Sequence, residues 1–129
     1  MTSTIKVDTL KHRGTDQIVA ACSAHGIIDQ TNSTAAIESG SINFSSVTDL
    51  QTGRFKVDYT NNFSHTNYAN PCASNGGGTT GAVVFTNLDH NSVTNNRLTS
   101  SCIYGVRIIN NNGENDREFN ALSTFGDLA

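Results

Sequence analysis

The stretch from Ser41 to Tyr68, SINFSSVTDLQTGRFKVDYTNNFSHTNY, constrains the fold more than any other part of this chain. Phe55, Val57 and Tyr59 alternate with Arg54, Lys56 and Asp58, so a strand here presents an apolar row on one face and a charged row on the other. A turn precedes it. Across Asp49 to Gly53, an Asx-forming side chain and a glycine able to take positive φ suit a hairpin loop of a few residues. Upstream, Ile42 and Phe44 share one parity and Val47 takes the other. The partner strand therefore either stops near Ser45 and Ser46 or, as the favoured account, carries an extra residue there as a β-bulge.

A chain of 129 residues is sized for one domain with a real core. Asn, Thr and Ser supply 45 of those residues, and Ala, Leu, Glu and Lys nowhere recur at helical spacing over ten residues. The fold expected is all-β: a compact antiparallel β-sandwich or jelly-roll-like module over residues 17–129, with an extended N-terminal arm over residues 1–16. In that arm Ile5, Val7 and Thr9 alternate with Lys6, Asp8 and Leu10 before Gly14 breaks the pattern. It holds too few large apolar groups to form a core by itself, so it lies against the domain, docks on a neighbouring molecule, or stays disordered.

The remaining strands follow from short alternations between turn signals. Ile18, Ala20, Cys22 and Ala24 share one parity with small side chains, which would let another sheet or subunit approach closely, and Gly26 is read as an interruption. Ala35 and Ile37 mark a short strand ending at Ser39 and Gly40, and Pro71 argues for an edge or a strand end. Ser74 to Gly81, SNGGGTTG, reads as an exposed flexible loop. Val83 and Phe85 mark another short strand. Leu98, Cys102, Tyr104, Val106 and Ile108 form the longest one-sided alternation. The Asn-Gly within residues 110–115 then predicts a hairpin into a last strand whose inward face is Phe119, Ala121, Ser123 and Phe125.

Net charge is −3 with scattered basic residues, which excludes a phosphate-backbone footprint, so no nucleic-acid partner is expected. No apolar run approaches the ~20 residues of a membrane span, and MTSTIKVDTL lacks the apolar centre of a signal peptide. The expectation is a protein that neither inserts in membranes nor is secreted. Cys22, Cys72 and Cys102 match no zinc or redox spacing and read as buried free thiols. His12, His25, His65 and His90 lack any ligand spacing and read as ordinary surface or turn residues. Asp89, His90 and Ser92 offer nucleophile and base types without a nucleophile elbow. Gly76 to Gly78 lack the lysine of a phosphate loop, and Asp116, Glu118 and Asp127 lack calcium-loop spacing. No catalytic residue, metal or cofactor is therefore expected. A depolymerase would need paired carboxylates about 5 to 9 Å apart in a cleft, and no such pair is evident.

The run SSVTDLQTGRFKVDYTNNFSHTNYA resembles a module that recurs in tail-fibre and other virion proteins of marine bacteriophages, particularly those of cyanobacteria. The matching residues are Ser46 to Asp49, Thr52, Gly53, Phe55, Val57, Tyr59 and Tyr68. Ser3 to Leu10, STIKVDTL, is similar to the virion-proximal N-termini of such fibre proteins, and Arg117 to Asp127, REFNALSTFGD, resembles the module's closing strand. The resemblance implies a non-enzymatic virion structural protein, made in the host cytoplasm, that forms homo-oligomers, trimers above all, and contacts other proteins of capsid or tail. Ile5, Val7 and Leu10 are the expected attachment residues. The alternative is a host-receptor or polysaccharide-binding tip whose contact loop is Ser74, Asn75, Gly76, Gly77, Gly78, Thr79 and Thr80, with a host surface glycan as partner.

Overall fold

The alternation at Phe55, Val57 and Tyr59 becomes one inner wall of a two-sheet sandwich. A computed structural model describes residues 22–31, 34–74, 84–88, 96–108 and 113–129, with 84–88 and 108 described by their backbone alone. The arm over residues 1–16 lies outside the described residues. Among the described residues there is no helix, and eight strands follow in order: β1 (Cys22–Asp29), β2 (Ala36–Ile37), β3 (Phe44–Gln51), β4 (Arg54–Tyr59), β5 (Cys72–Ser74), β6 (Val84–Leu88), β7 (Ser101–Ile108) and β8 (Asn120–Phe125). They build two four-stranded antiparallel sheets, a first sheet in the order β2-β1-β8-β5 and a second in the order β3-β4-β7-β6. This is the expected all-β antiparallel sandwich. Pro71 enters β5 at the edge of the first sheet, where a missing N–H costs no ladder bond.

The core lies between the sheets. Ala24, Ile28 and Leu122 come from the first sheet, Phe55, Val57, Tyr59, Cys102, Tyr104 and Val106 from the second, and Phe63 and Tyr68 from the connection after β4. Each large side chain so buried contributes about 1.5–3 kcal/mol. Aromatic geometry adds to this: Tyr59 meets Phe63 edge-on with centroids 4.8 Å apart, and Phe55 stacks on Tyr104 at 5.6 Å. Tyr68 reaches through the core to donate its hydroxyl to Leu98 O at 2.8 Å. The aromatic residues that carry the resemblance are thus scaffold residues.

The hairpin takes its expected form. Phe44 pairs with Tyr59 and Ser46 with Asp58, leaving Ser45 as the extra residue of a bulge. Gln51 pairs with Arg54, so Thr52 and Gly53 make the tip, with Gly53 at φ +70°. A Cβ on Gly53 would also sit 2.6 Å from Asn115 N, so both conformation and space demand glycine. A second register shift, between Asp49 and Gln51, adds Leu50 as another unpaired residue that parity alone does not reveal. Gly26 interrupts nothing. It lies within β1, where a Cβ would collide with the Ser41 side chain and come within 2.9 Å of Phe44 Cδ2.

Three strand expectations are corrected. Leu98 is 41% exposed and precedes β7: its N–H donates to Ser101 O at 2.9 Å and Arg97 bridges Cys102, so the chain is still turning there. The Asn-Gly turn does not send β7 into a hairpin with β8. Glu114 makes one antiparallel bridge to Arg107, and then Asp116 Oδ1 accepts the Gly53 N–H at 2.6 Å as the chain crosses to the other sheet. β7 is already paired on both sides, by β4 and β6, and offers β8 no ladder.

The third correction is the face of β8. Asn120, Leu122 and Thr124 are buried, whereas Phe119 is 47% exposed and Ala121 is exposed. Asn120 can be buried because its amide is satisfied: Nδ2 donates to Ile28 O at 3.0 Å and Arg117 O at 2.9 Å, and Oδ1 accepts from Ser74 Oγ. The Thr124 hydroxyl lies 3.5 Å from that of Tyr59. None of the three cysteines is bridged to another, and only Cys102 is buried; Cys72 is half-buried and Cys22 exposed.

Candidate functional site

Burying the even residues of β8 turns its odd residues outward, and they create an apolar surface on the solvent side of the first sheet. Cross-strand partners share a face, so Ala121 stands beside Ile27 of β1 and Ala73 of β5, Ser123 beside His25, and Phe125 beside Cys22. Ile42, which is 54% exposed, extends the surface through its bridge to His25. At its centre is an open groove of about 380 Å³, lined by Cys22, His25, Ile27, Ala121, Ser123 and Phe125 and bordered by the turn at residues 39–41. Gly40, at φ +88°, makes that turn. Among all residues of β1, β2, β5 and β8, Asp29 is the one formal charge.

The solvent side of the second sheet is built differently. Its strands bring Arg54, Lys56, Asp58 and Arg107 to that side. Arg54 pairs with Glu114 at 2.6 Å, Arg107 with the same carboxylate at 3.3 Å, and Lys56 with Asp58 at 3.1 Å. Partial burial works to raise the pKa of Glu114, but hydrogen bonds from Arg54 and Gln51 and the charges of both arginines outweigh it and hold the carboxyl below its ordinary value. Ser46 Oγ donates to Asp58 Oδ2 at 2.9 Å. Among the described residues of this face, these charges answer one another.

Of the residues singled out in the sequence, few fall on the described structure. Ile5, Val7 and Leu10, Asn75 to Thr80, His12, and the Asp89, His90 and Ser92 group lie outside the described residues. Ser74 closes β5 half-buried, bonded to Asn120, so it serves the scaffold rather than an exposed loop. His65 is exposed, with Nδ1 accepting from Asn67 N at 3.2 Å. His25 belongs to the groove. Among the described residues no three His, Cys, Asp or Glu side chains come together as a metal site. Burial pushes the Cys102 thiol up to about 11 and raises Tyr68 and Tyr104 as well, so this interior cluster offers no ready nucleophile.

Ile27, Ala121 and Phe125 were not recognisable as surface residues from apolar parity. The available signal was the near-absence of charge from CSAHGIID and NALSTF, since a strand with one wet face ordinarily alternates apolar with polar residues.

Fold and surface together define an antiparallel β-sandwich whose outer faces differ among the described residues, one carrying paired charges and the other largely apolar. Comparison of the chain with protein-family models, with curated proteins and with solved structures found no match in any of the three.

Proposed function

We propose that the protein is a non-enzymatic structural module of a bacteriophage virion, a small knob, decoration, adaptor or fibre-type unit. It assembles as a homo-oligomer and docks to proteins of the capsid or tail through its N-terminal arm. The observation that carries self-assembly is the outer face of the first sheet, where Ile27, Ile42, Ala73, Ala121 and Phe125 adjoin one another beside a single strand charge. The largest apolar patch of a single chain is often a contact site. The virion setting and the preference for three copies come from the resemblance of Ser46 to Tyr68, Ser3 to Leu10 and Arg117 to Asp127.

Light scattering of the purified protein tests assembly, with a mass of three subunits expected and a monomer at high concentration contradicting it. Deleting residues 1–13 tests docking: the shortened protein should fail to enter particles, and unchanged incorporation would refute a role for the arm. Binding to host-cell envelopes that disappears when residues 74–81 are shortened would instead favour receptor recognition.

A further inference from the structure

We infer that the groove on the outer face of the first sheet is the seat of the N-terminal segment Ser3 to Leu10 of a second copy of this chain. The inference rests on the reading of the protein as self-assembling, names the contact by which it does so, and assigns Ile5 and Val7 to that subunit contact in place of particle docking. Its geometry begins with size. Four strands about 4.8 Å apart, of which β1 and β8 are long while β2 has 2 residues and β5 has 3, present a face of roughly 300 Å², so two such faces pressed together would bury about 600 Å² in total, short of the ~1,200–2,000 Å² of a stable interface. A flat pairing of faces is therefore too small by itself, and additional chain must contribute.

The chain has such a segment. Residues 1–21 precede β1, and fully extended they reach at most ~70 Å. β1 begins at Cys22, itself a groove residue paired with Phe125. Residues 11–21 between the segment and β1 reach up to ~37 Å when extended, enough to carry it to a neighbour's groove, and on the self-assembly reading it sits there rather than in its own. Exchange of this kind is a low-cost route to a symmetric assembly. The chemistry agrees. Ile5, Val7 and Thr9 share one side of an extended segment, suited to a groove whose walls are Ile27, Ala121 and Phe125, while Lys6, Asp8 and Leu10 fall on the other side, away from it. The groove lining brings no lysine, arginine or carboxylate to oppose them.

The exposed thiol of Cys22 provides the test. One protein carries Val7→Cys with Cys22→Ser and Cys72→Ser; the other, longer by a tag, carries Cys72→Ser and keeps Cys22. The two are mixed and oxidised with oxidised glutathione, and Thr9→Cys replaces Val7→Cys in a parallel mixture in case position 7 is itself needed for docking. A disulfide-linked pair of mixed size is expected from at least one mixture, and it should fall at least tenfold when the Cys22-bearing protein also carries Ala121→Arg. If neither mixture gives the mixed pair, or if Ala121→Arg leaves its yield unchanged, the inference is overturned. Light scattering of the unmodified chain separates the two levels: an oligomer without cross-linking overturns the arm in the groove and leaves self-assembly standing, whereas a monomer overturns both.

Discussion

The two outer faces of this sandwich share one core yet present opposite surfaces. On the second sheet, Arg54, Lys56, Asp58, Arg107 and Glu114 pair among themselves, so each charge is answered within the molecule. On the first sheet, Ile27, Ala121, Ala73 and Phe125 share the outer face, Ala73 and Ala121 exposed and Ile27 and Phe125 half-buried, and the strands bring one formal charge. A strand needs only one apolar face to hold a sandwich together. Exposed apolar residues such as Ala73, Ala121 and Ile42 on the other face add little to the fold of a single copy, and their grouping here is the physical case for a partner.

The comparison sharpens if the difference is confined to the surface. Phe55 lies fully buried between the sheets, so Phe55→Ala should cost about 3–5 kcal/mol in urea denaturation, with both sheets unfolding in one transition. Separate transitions would divide the molecule and undo the idea of a common core. Asn120→Ala should come next. It removes the donor to Ile28 O and Arg117 O and strands buried carbonyls, at about 2 kcal/mol.

Smaller effects belong to the polar face. Glu114→Gln should cost about 1 kcal/mol, since its carboxylate holds two arginines in a partly exposed network. Because the folded pKa of Glu114 is depressed, its contribution is present above the ordinary carboxylate value and lost as pH falls through the folded one. Urea midpoints between pH 7 and pH 3 should therefore fall more for the parent than for Glu114→Gln, and parallel curves would remove the carboxylate from the account. Lys56→Glu, which breaks an exposed pair with Asp58, should change stability by less than about 1 kcal/mol.

Much of the scaffold was legible in the sequence because the β3–β4 hairpin is specified locally. Six alternating residues and one glycine announce its strand and turn, and the parity slip at Ser45 announces its bulge, whereas Asp49, expected in the turn, lies in β3 opposite Phe55 and accepts from Gln30 Nε2 at 3.3 Å. The candidate site was not legible, for a matching physical reason. In NALSTF both parities contain residues able to be buried, and the choice between them rests on long-range bonds: Asn120 to Ile28 O and Thr124 to Tyr59. Counting apolar side chains favours Phe119 and Phe125. The hydrogen bonds reverse that choice and place Phe125 in the groove instead. The Asn-Gly turn misled similarly, because a turn signal predicts that the chain reverses but not that a ladder is vacant beside it.

Sedimentation velocity of three proteins across a wide concentration range tests the difference between the faces most directly: the parent, Ala121→Arg on the first sheet and Lys56→Glu on the second. The account predicts that the parent and Lys56→Glu sediment alike as an oligomer, while Ala121→Arg, with unchanged circular dichroism, sediments as a monomer. An Ala121→Arg protein that assembles like the parent, or a Lys56→Glu protein that alone falls apart, would contradict it.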